Sequence, residues 1–222
     1  MGSGLKSDRG RFSKVWIFDL DNTLHNALPH IFPHINQSMT GYVQQLLKID
    51  EAEASALRVH YWQRYGATLL GLMRHHGVAP RHFLWHTHQF QDLGAMVVAE
   101  KNLRHTLRRL PGKKFVFSNA PAHYTREVLA ILRVSDLFDR VFTVEHTRWK
   151  PKPSTTGFLR VLGRMGVPPE HCIMVEDDLT NLKTAKKLGM RTVWVSKARK
   201  CPPFVDVVVK SILQLPGNIR RL

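Results

Sequence analysis

Four short stretches of this 222-residue chain combine residue types that can do chemistry together. The first is Asp19-Leu20-Asp21-Asn22-Thr23, with two carboxylates two positions apart. Strand side chains repeat every two residues, so Asp19 and Asp21 can lean toward one spot just past a strand. The second is Ser118-Asn119, a hydroxyl beside an amide at a helix start, where free N–H groups suit an anion. The third is Trp149-Lys150-Pro151-Lys152-Pro153, and the fourth is Glu176-Asp177-Asp178. Carboxylates gathered in one crevice repel: at about 4 Å and an effective dielectric of about 20, each pair costs about 4 kcal/mol. A cation must sit among them. Oxygen donors with no His or Cys nearby suit a hard ion, and Mg²⁺ takes one or two carboxylates plus substrate phosphate. Singly, each stretch is ordinary: a loop or cap, a helix start, an exposed turn. Their order and context set them apart.

The elements that must position these groups are legible as apolar runs. Val15-Trp16-Ile17-Phe18 is a continuous run ending at Asp19, the pattern of a strand buried on both faces. Lys114–Phe117, Val141–Val144, His171–Val175, Thr192–Val195 and Val205–Val209 read as further strands. Helices are expected over Pro121–Leu132, Ser154–Met165 and Thr180–Leu188, the last ended by Gly189. Alternating strands and helices predict an α/β protein with a doubly wound parallel sheet, which brings the four stretches to its carboxyl edge. Between His25 and Asn102 the period turns helical. Ile35, Met39, Val43, Leu46 and Leu47 recur at threes and fours, as do Leu57, Tyr61, Tyr65, Leu69 and Leu72 or Met73 with wider gaps. The expected organisation is a flexible tail over 1–10, a catalytic core over 11–24 and 103–222, and a helical insert over 25–102.

Composition excludes several classes. A chain 43% hydrophobic and 23% charged is ordinary globular protein, neither disordered nor collagen-like. No apolar run approaches the roughly 18 residues that span a bilayer, and the first residues lack a secretory apolar region. Two cysteines, Cys172 and Cys201, make no disulfide framework and read as free thiols of a cytoplasmic protein. Thirty-three basic against 17 acidic residues give a formal charge of +16. That excess raises a nucleic-acid reading, but the basic residues are spread along the chain without zinc-finger spacing or an RNP-like strand. A positive field equally attracts small phosphorylated substrates. Nucleic acid and membrane are therefore not the expected partners.

In this order the motifs resemble the haloacid dehalogenase superfamily, from about residue 14 to 210. Asp21 resembles the phosphatase branch, which uses a second aspartate, and the insert resembles a type-one cap on a Rossmann-like core. Asp19-Leu20-Asp21-Asn22-Thr23-Leu24-His25, together with Tyr61-Trp62-Gln63-Arg64-Tyr65-Gly66-Ala67-Thr68-Leu69-Leu70-Gly71-Leu72, is similar to the pyrimidine 5′-nucleotidase subgroup. The resemblance implies a Mg²⁺-dependent phosphomonoester hydrolase acting through an aspartyl-phosphate, with a nucleoside 5′-monophosphate as the expected substrate. A phosphatase of phosphoglycolate or a sugar phosphate, or a phosphomutase, shares that mechanism. A nucleic-acid-binding protein with an inactive core is the alternative from another class.

The resemblance assigns Asp19 as nucleophile and metal ligand. Asp21 is implied as general acid and base, with its backbone carbonyl on the metal. Asp177 completes the metal site, and Glu176 stands in the outer shell. Asp178 departs from the pattern, where relatives usually carry Ser, so which acid touches the metal stays open. Asn181 fits the pattern as a residue that fixes this loop. Ser118, Asn119 and Lys152 are implied to bind phosphate. Lys152 lies six residues before Phe158, matching the family spacing, with Lys150 as its rival. His25, His30, His34, Asn36, Tyr61 and Tyr65 are candidates for contacting sugar or base, although aromatics at helical spacing also read as core packing. His82, His86 and His88 have no Cys or acidic partner at zinc spacing.

Overall fold

The computed structural model describes residues 14–222, so the tail expected over 1–10 lies outside the described residues. Six parallel strands form one sheet in the order β3-β2-β1-β4-β5-β6. They are β1 (Val15–Phe18), β2 (Lys114–Phe117), β3 (Arg140–Phe142), β4 (Cys172–Glu176), β5 (Arg191–Val195) and β6 (Val207–Val209). β1 is central, and all four of its residues are buried. Its alternation divides two cores. Trp16 and Phe18 join Val116, Ile173, Val175 and Val193 on one face. Val15 and Ile17 join Phe115, Phe117, Cys172 and Met174 on the other. Fully burying each such side chain contributes about 1.5–3 kcal/mol, which is why the apolar runs specify the sheet.

Ten α-helices accompany the strands among the described residues: α1 (Ile31–Leu47), α2 (Glu51–Tyr65), α3 (Thr68–His76), α4 (Pro80–Thr87), α5 (Leu93–Met96), α6 (Leu103–Arg109), α7 (Ala122–Ile131), α8 (Thr155–Met165), α9 (Leu179–Lys187) and α10 (Leu215–Asn218). α6 and α7 cover the Trp16 face through Leu107, Tyr124 and Val128. α8 and α9 cover the Ile17 face through Phe158, Val161, Leu182 and Ala185. Cys172 is buried, Cys201 is exposed, and both are free. No helix among the described residues is long and apolar enough to cross a membrane.

The first four helices hold a third core of Val43, Ala54, Tyr61, Leu69, Leu72, Phe83 and Leu84, joined by Val144 from the loop after β3. A capping box between Asp50 and Glu53 starts α2. The periodicity from Leu57 to Met73 is not one helix. Gly66 adopts φ 83° and ends α2, and α3 restarts at Thr68. Gly71 of α3 lies against the Tyr61 ring so closely that a Cβ there would collide with it. The two chain crossings between sheet and insert are held together by an antiparallel bridge, Asn26 N–H donating to the Val98 carbonyl at 2.7 Å.

Candidate active site

Parallel strands put all their carboxyl ends at one edge, and register decides what meets there. Phe18 pairs with Val175, so Asp19 emerges beside Glu176, and the Asp19 N–H donates to the Val175 carbonyl at 3.0 Å. Carboxylate oxygens of Asp19, Glu176 and Asp177 lie within 4.8 Å of one another. Lys152 closes the group: its Nζ donates to Asp19 Oδ1 and to Glu176 Oε2, each at 2.6 Å. Three acids share one ammonium, an excess of negative charge in a buried place. Burial raises Asp19 to about 7, with the charge of Glu176 adding and Lys152 opposing. Burial likewise raises Glu176 to about 7 and Asp177 above its ordinary range. Burial works against the Lys152 ammonium, but Asp19 and Glu176 outweigh it and hold the proton on. Three hard oxygen donors with spare negative charge, and no His or Cys, are a donor set that fits Mg²⁺.

Asp178 is not part of this group. Its Oδ1 accepts from the N–H groups of Thr180 (2.7 Å) and Asn181 (3.0 Å) and caps α9, which is what a Ser would do there. Asn181 is buried under that cap and lines the cavity.

Lys152 arrives on a loop after β3 that is braced at several points. Asn119 spends its amide on this loop, Nδ2 donating to the Lys152 carbonyl (3.0 Å) and Oδ1 accepting from the Lys152 N–H (2.7 Å). The amide expected to hold phosphate is thus largely taken by the main chain of the lysine. Gly157 lacks the Cβ that would strike the Lys150 carbonyl. Arg148 and Trp149 both take left-handed φ, 50° and 60°, and Trp149 lines the cavity. Lys150 is exposed, whereas Lys152 is buried. Ser118 is buried, and its Oγ accepts from the Ala120 N–H at 3.0 Å, leaving the hydroxyl hydrogen for a ligand.

Asp21 stands apart from the carboxylate group. Its Oδ1 accepts from the Tyr124 hydroxyl at 2.5 Å and faces His25 Nε2 at 2.9 Å. Oδ1 is therefore the oxygen that holds this carboxylate in place. Burial and the charge of Asp21 raise the Tyr124 phenol and keep it a donor. The turn from Asp19 to Thr23 is possible because Asn22 accepts a φ of 61°, and Asn22 Oδ1 then takes the Ala27 N–H at 3.1 Å.

A cavity of about 680 Å³ opens above this edge, between the sheet and the insert. Asp19, Asp21, Ser118, Lys152 and Asp177 floor it, and Phe32, Trp62, Phe83 and Trp149 are among its walls. Of the six insert candidates, Asn36 lines this cavity. His25 is buried against Asp21. His30 is exposed at the start of α1, and His34 Nε2 meets the Gln89 carbonyl at 2.7 Å. The hydroxyls of Tyr61 and Tyr65 pair with His76 (2.8 Å) and His75 (2.6 Å), so these tyrosines organise the insert's own core and flank. Sequence reasoning missed Tyr124 and Arg58 and weighed His88 for zinc alone; all three reach the site or its cavity from helices or their ends. Tyr124 and Arg58 carry no local spacing signal, although Trp62 sits within the stretch already singled out.

The profile of a hydrolase family, the haloacid dehalogenase-like hydrolases, matches residues 14–189. Phosphate metabolism protein 8 of Saccharomyces cerevisiae is 25% identical over 194 residues, covering 80% of this chain and 60% of that one. Hexitol phosphatase B of Escherichia coli is 29% identical over 105 residues, 46% of this chain and 47% of that protein. A phosphoglycolate phosphatase of Pseudomonas putida is 23% identical over 197 residues, 83% and 70% of the two chains. The matched region thus spans 60% and 47% of the length of the first two relatives, less than two thirds of either. In structure, a HAD phosphatase from Thermococcus onnurineus superposes with a TM-score of 0.67 at 21% identity, covering 93% of this chain and 97% of that one. With the profile spanning most of its length, the chain belongs to the haloacid dehalogenase-like hydrolases.

Proposed function

We propose that the protein is a Mg²⁺-dependent phosphomonoester hydrolase working through a phosphorylated Asp19, with residues 11–24 and 103–222 as catalytic core and 25–102 as cap. The observation that carries this is the meeting of Asp19, Glu176 and Asp177 with Lys152, under a cavity that Asp21 also lines. Asp19 would be the attacking group, its Oδ1 held by Lys152 and its Oδ2 directed at phosphorus. Mg²⁺ held by Asp19, Asp177 and the Asp21 main chain, with Glu176 in the outer shell, would neutralise the charge between carboxylate and phosphate dianion. Ser118 would donate to a phosphoryl oxygen, and Lys152 would offset the charge that develops on it. Asp21, fixed through Oδ1, would give a proton from Oδ2 to the leaving alkoxide and then take one from the attacking water.

Two substrate classes have support. Nucleoside 5′-monophosphates, pyrimidine ones first, fit the likeness of residues 19–25 and 61–72 to that subgroup and the aromatic walls Trp62 and Trp149. Small acidic phosphate esters fit Arg58 on the same wall and the similarity to phosphoglycolate phosphatases. Initial rates across UMP, CMP, dTMP, phosphoglycolate, sugar phosphates and p-nitrophenyl phosphate, with Mg²⁺ and with a chelator, test the reading. Turnover that needs Mg²⁺ and vanishes in Asp19→Asn is expected. No turnover, or turnover indifferent to Asp19→Asn, would defeat it.

A further inference from the structure

The cavity has two cationic side chains on its lining, Lys152 and Arg58. Lys152 is committed to Asp19 and Glu176 at the floor. Arg58 projects from α2 of the insert and has most of its donors to spare. Its Nη1 donates to Asn36 Oδ1 at 2.9 Å, which fixes the plane of the guanidinium. Its Nε is buried without any hydrogen-bond partner. A guanidinium offers five N–H groups in a rigid fork matched to a carboxylate or phosphoryl group. The cavity walls include Phe32, Met39, Trp62 and Phe83, apolar surfaces beside which a charge-assisted bond gains strength. No carboxylate among the cavity's lining residues lies on the insert: the acids Asp19, Asp21, Glu176, Asp177 and Asp178 all come from the sheet edge. The two sides of the cavity thus differ in kind: the sheet edge brings the acids with Lys152, and the insert brings Arg58 with no carboxylate among its lining residues.

We propose that Arg58, oriented by Asn36, binds a second anionic group at the far end of the substrate's leaving group. The preferred substrates are then phosphate monoesters that carry a distal carboxylate or second phosphoryl group, ahead of esters of neutral alcohols and ahead of nucleoside monophosphates. This rests on the phosphomonoesterase reading and selects among its substrate classes.

The test uses matched esters of two to six carbons in three series: ω-carboxyalkyl phosphates, alkanediol bisphosphates and plain alkyl phosphates. UMP and p-nitrophenyl phosphate are run beside them on the full chain with Mg²⁺. In the wild type, one acidic series at its best chain length should exceed its plain counterpart at least tenfold in kcat/KM, mostly through KM. The series that wins tells carboxylate from phosphoryl. In Arg58→Met that ratio should fall to about one, whatever the absolute rates, and Arg58→Lys should keep part of it. A thermal melt checks that each variant is folded. If Arg58→Met does not fold, the wild-type ratio and its decline with added salt remain decisive. A wild type that favours plain esters or UMP, or a ratio that survives Arg58→Met, overturns the inference. Absence of turnover on every ester, p-nitrophenyl phosphate included, defeats the hydrolase reading and this inference with it.

Discussion

Replacing Lys152 by Met keeps most of the side-chain volume and removes one charge. In the wild type that ammonium lies 2.6 Å from both Asp19 Oδ1 and Glu176 Oε2. Without it, three acids whose oxygens lie within 4.8 Å face one another with no cation. Two like charges at about 5 Å and an effective dielectric of about 20 cost about 3 kcal/mol, and breaking a buried ion pair costs about 3–5 kcal/mol. A loss of about 4 kcal/mol lowers Tm by about 8–16 °C in a chain this size. The pH dependence has a fixed sign. Asp19 and Glu176 are raised to about 7 in the fold from 3.8 and 4.5. Stability from their protonated forms is complete below about pH 4 and is lost as pH rises through about 7. Without Lys152 that loss should be steeper, so the gap between variant and wild type widens with pH. The assay is thermal melting in chelator from pH 5 to 8, repeated with Mg²⁺, beside initial rates. Mg²⁺ should recover more stability in Lys152→Met than in the wild type, while turnover drops about 10³-fold. Lys150→Met, at an exposed position, should change Tm by less than about 2 °C. A Lys152→Met protein that melts like the wild type in chelator, or a Lys150→Met protein that is the more damaged of the two, would refute the reasoning.

Two further outcomes follow from the surroundings of Asp21 and the insert. Tyr124→Phe removes a charge-assisted hydrogen bond from Asp21 Oδ1, of a kind worth about 1.5–3 kcal/mol. It should cut kcat/KM at least tenfold for alkyl phosphates but less than threefold for p-nitrophenyl phosphate, whose leaving group needs no proton; an equal drop for both would make Tyr124 merely structural. His88 is buried with Nδ1 facing the Leu84 carbonyl and Thr87 Oγ1, with Asp21, Glu145 and His123 as the charged or titratable groups acting on it. Burial lowers it from 6.5 to about 4, so its contribution is present above pH 6.5 and lost as pH falls toward 4, at most about 3 kcal/mol. His88→Gln should flatten the acid limb of the stability profile, and an unchanged limb in urea titrations at pH 4–7 would contradict the burial argument.

How much could be read beforehand varied with the physics of each part. Strands buried on both faces are continuous apolar runs, so β1 and β2 stand where the sequence suggested. β3 is shorter at its end than expected because Val144 leaves the sheet for the insert's core. The acids and Lys152 were legible because strand ends of a parallel sheet share an edge, and that holds whatever the intervening chain does. The insert was harder. Aromatic spacing on a helix is the same whether a ring lines a cavity or packs inside, and Tyr61 packs on Gly71. The glycine at 66 was a signal for a break after α2 that periodicity alone overrode. Tyr124 meets Asp21 across 103 residues of chain, a contact set by how α7 lies on the sheet and by no spacing along the sequence.

The bridge between Asn26 and Val98 means that the insert leaves and rejoins the sheet side by side. A stretch tethered at two adjacent points can be exchanged as a cassette without disturbing strand order. The boundary for such a graft is not the bridge itself, however. Ala27, Ile31, Ile35 and Leu93 lie within it yet belong to the sheet's own core. A chimaera cut at the bridge would open a void under β1, whereas one cut after Ile35 and before Leu93 would carry a foreign roof on an intact foundation.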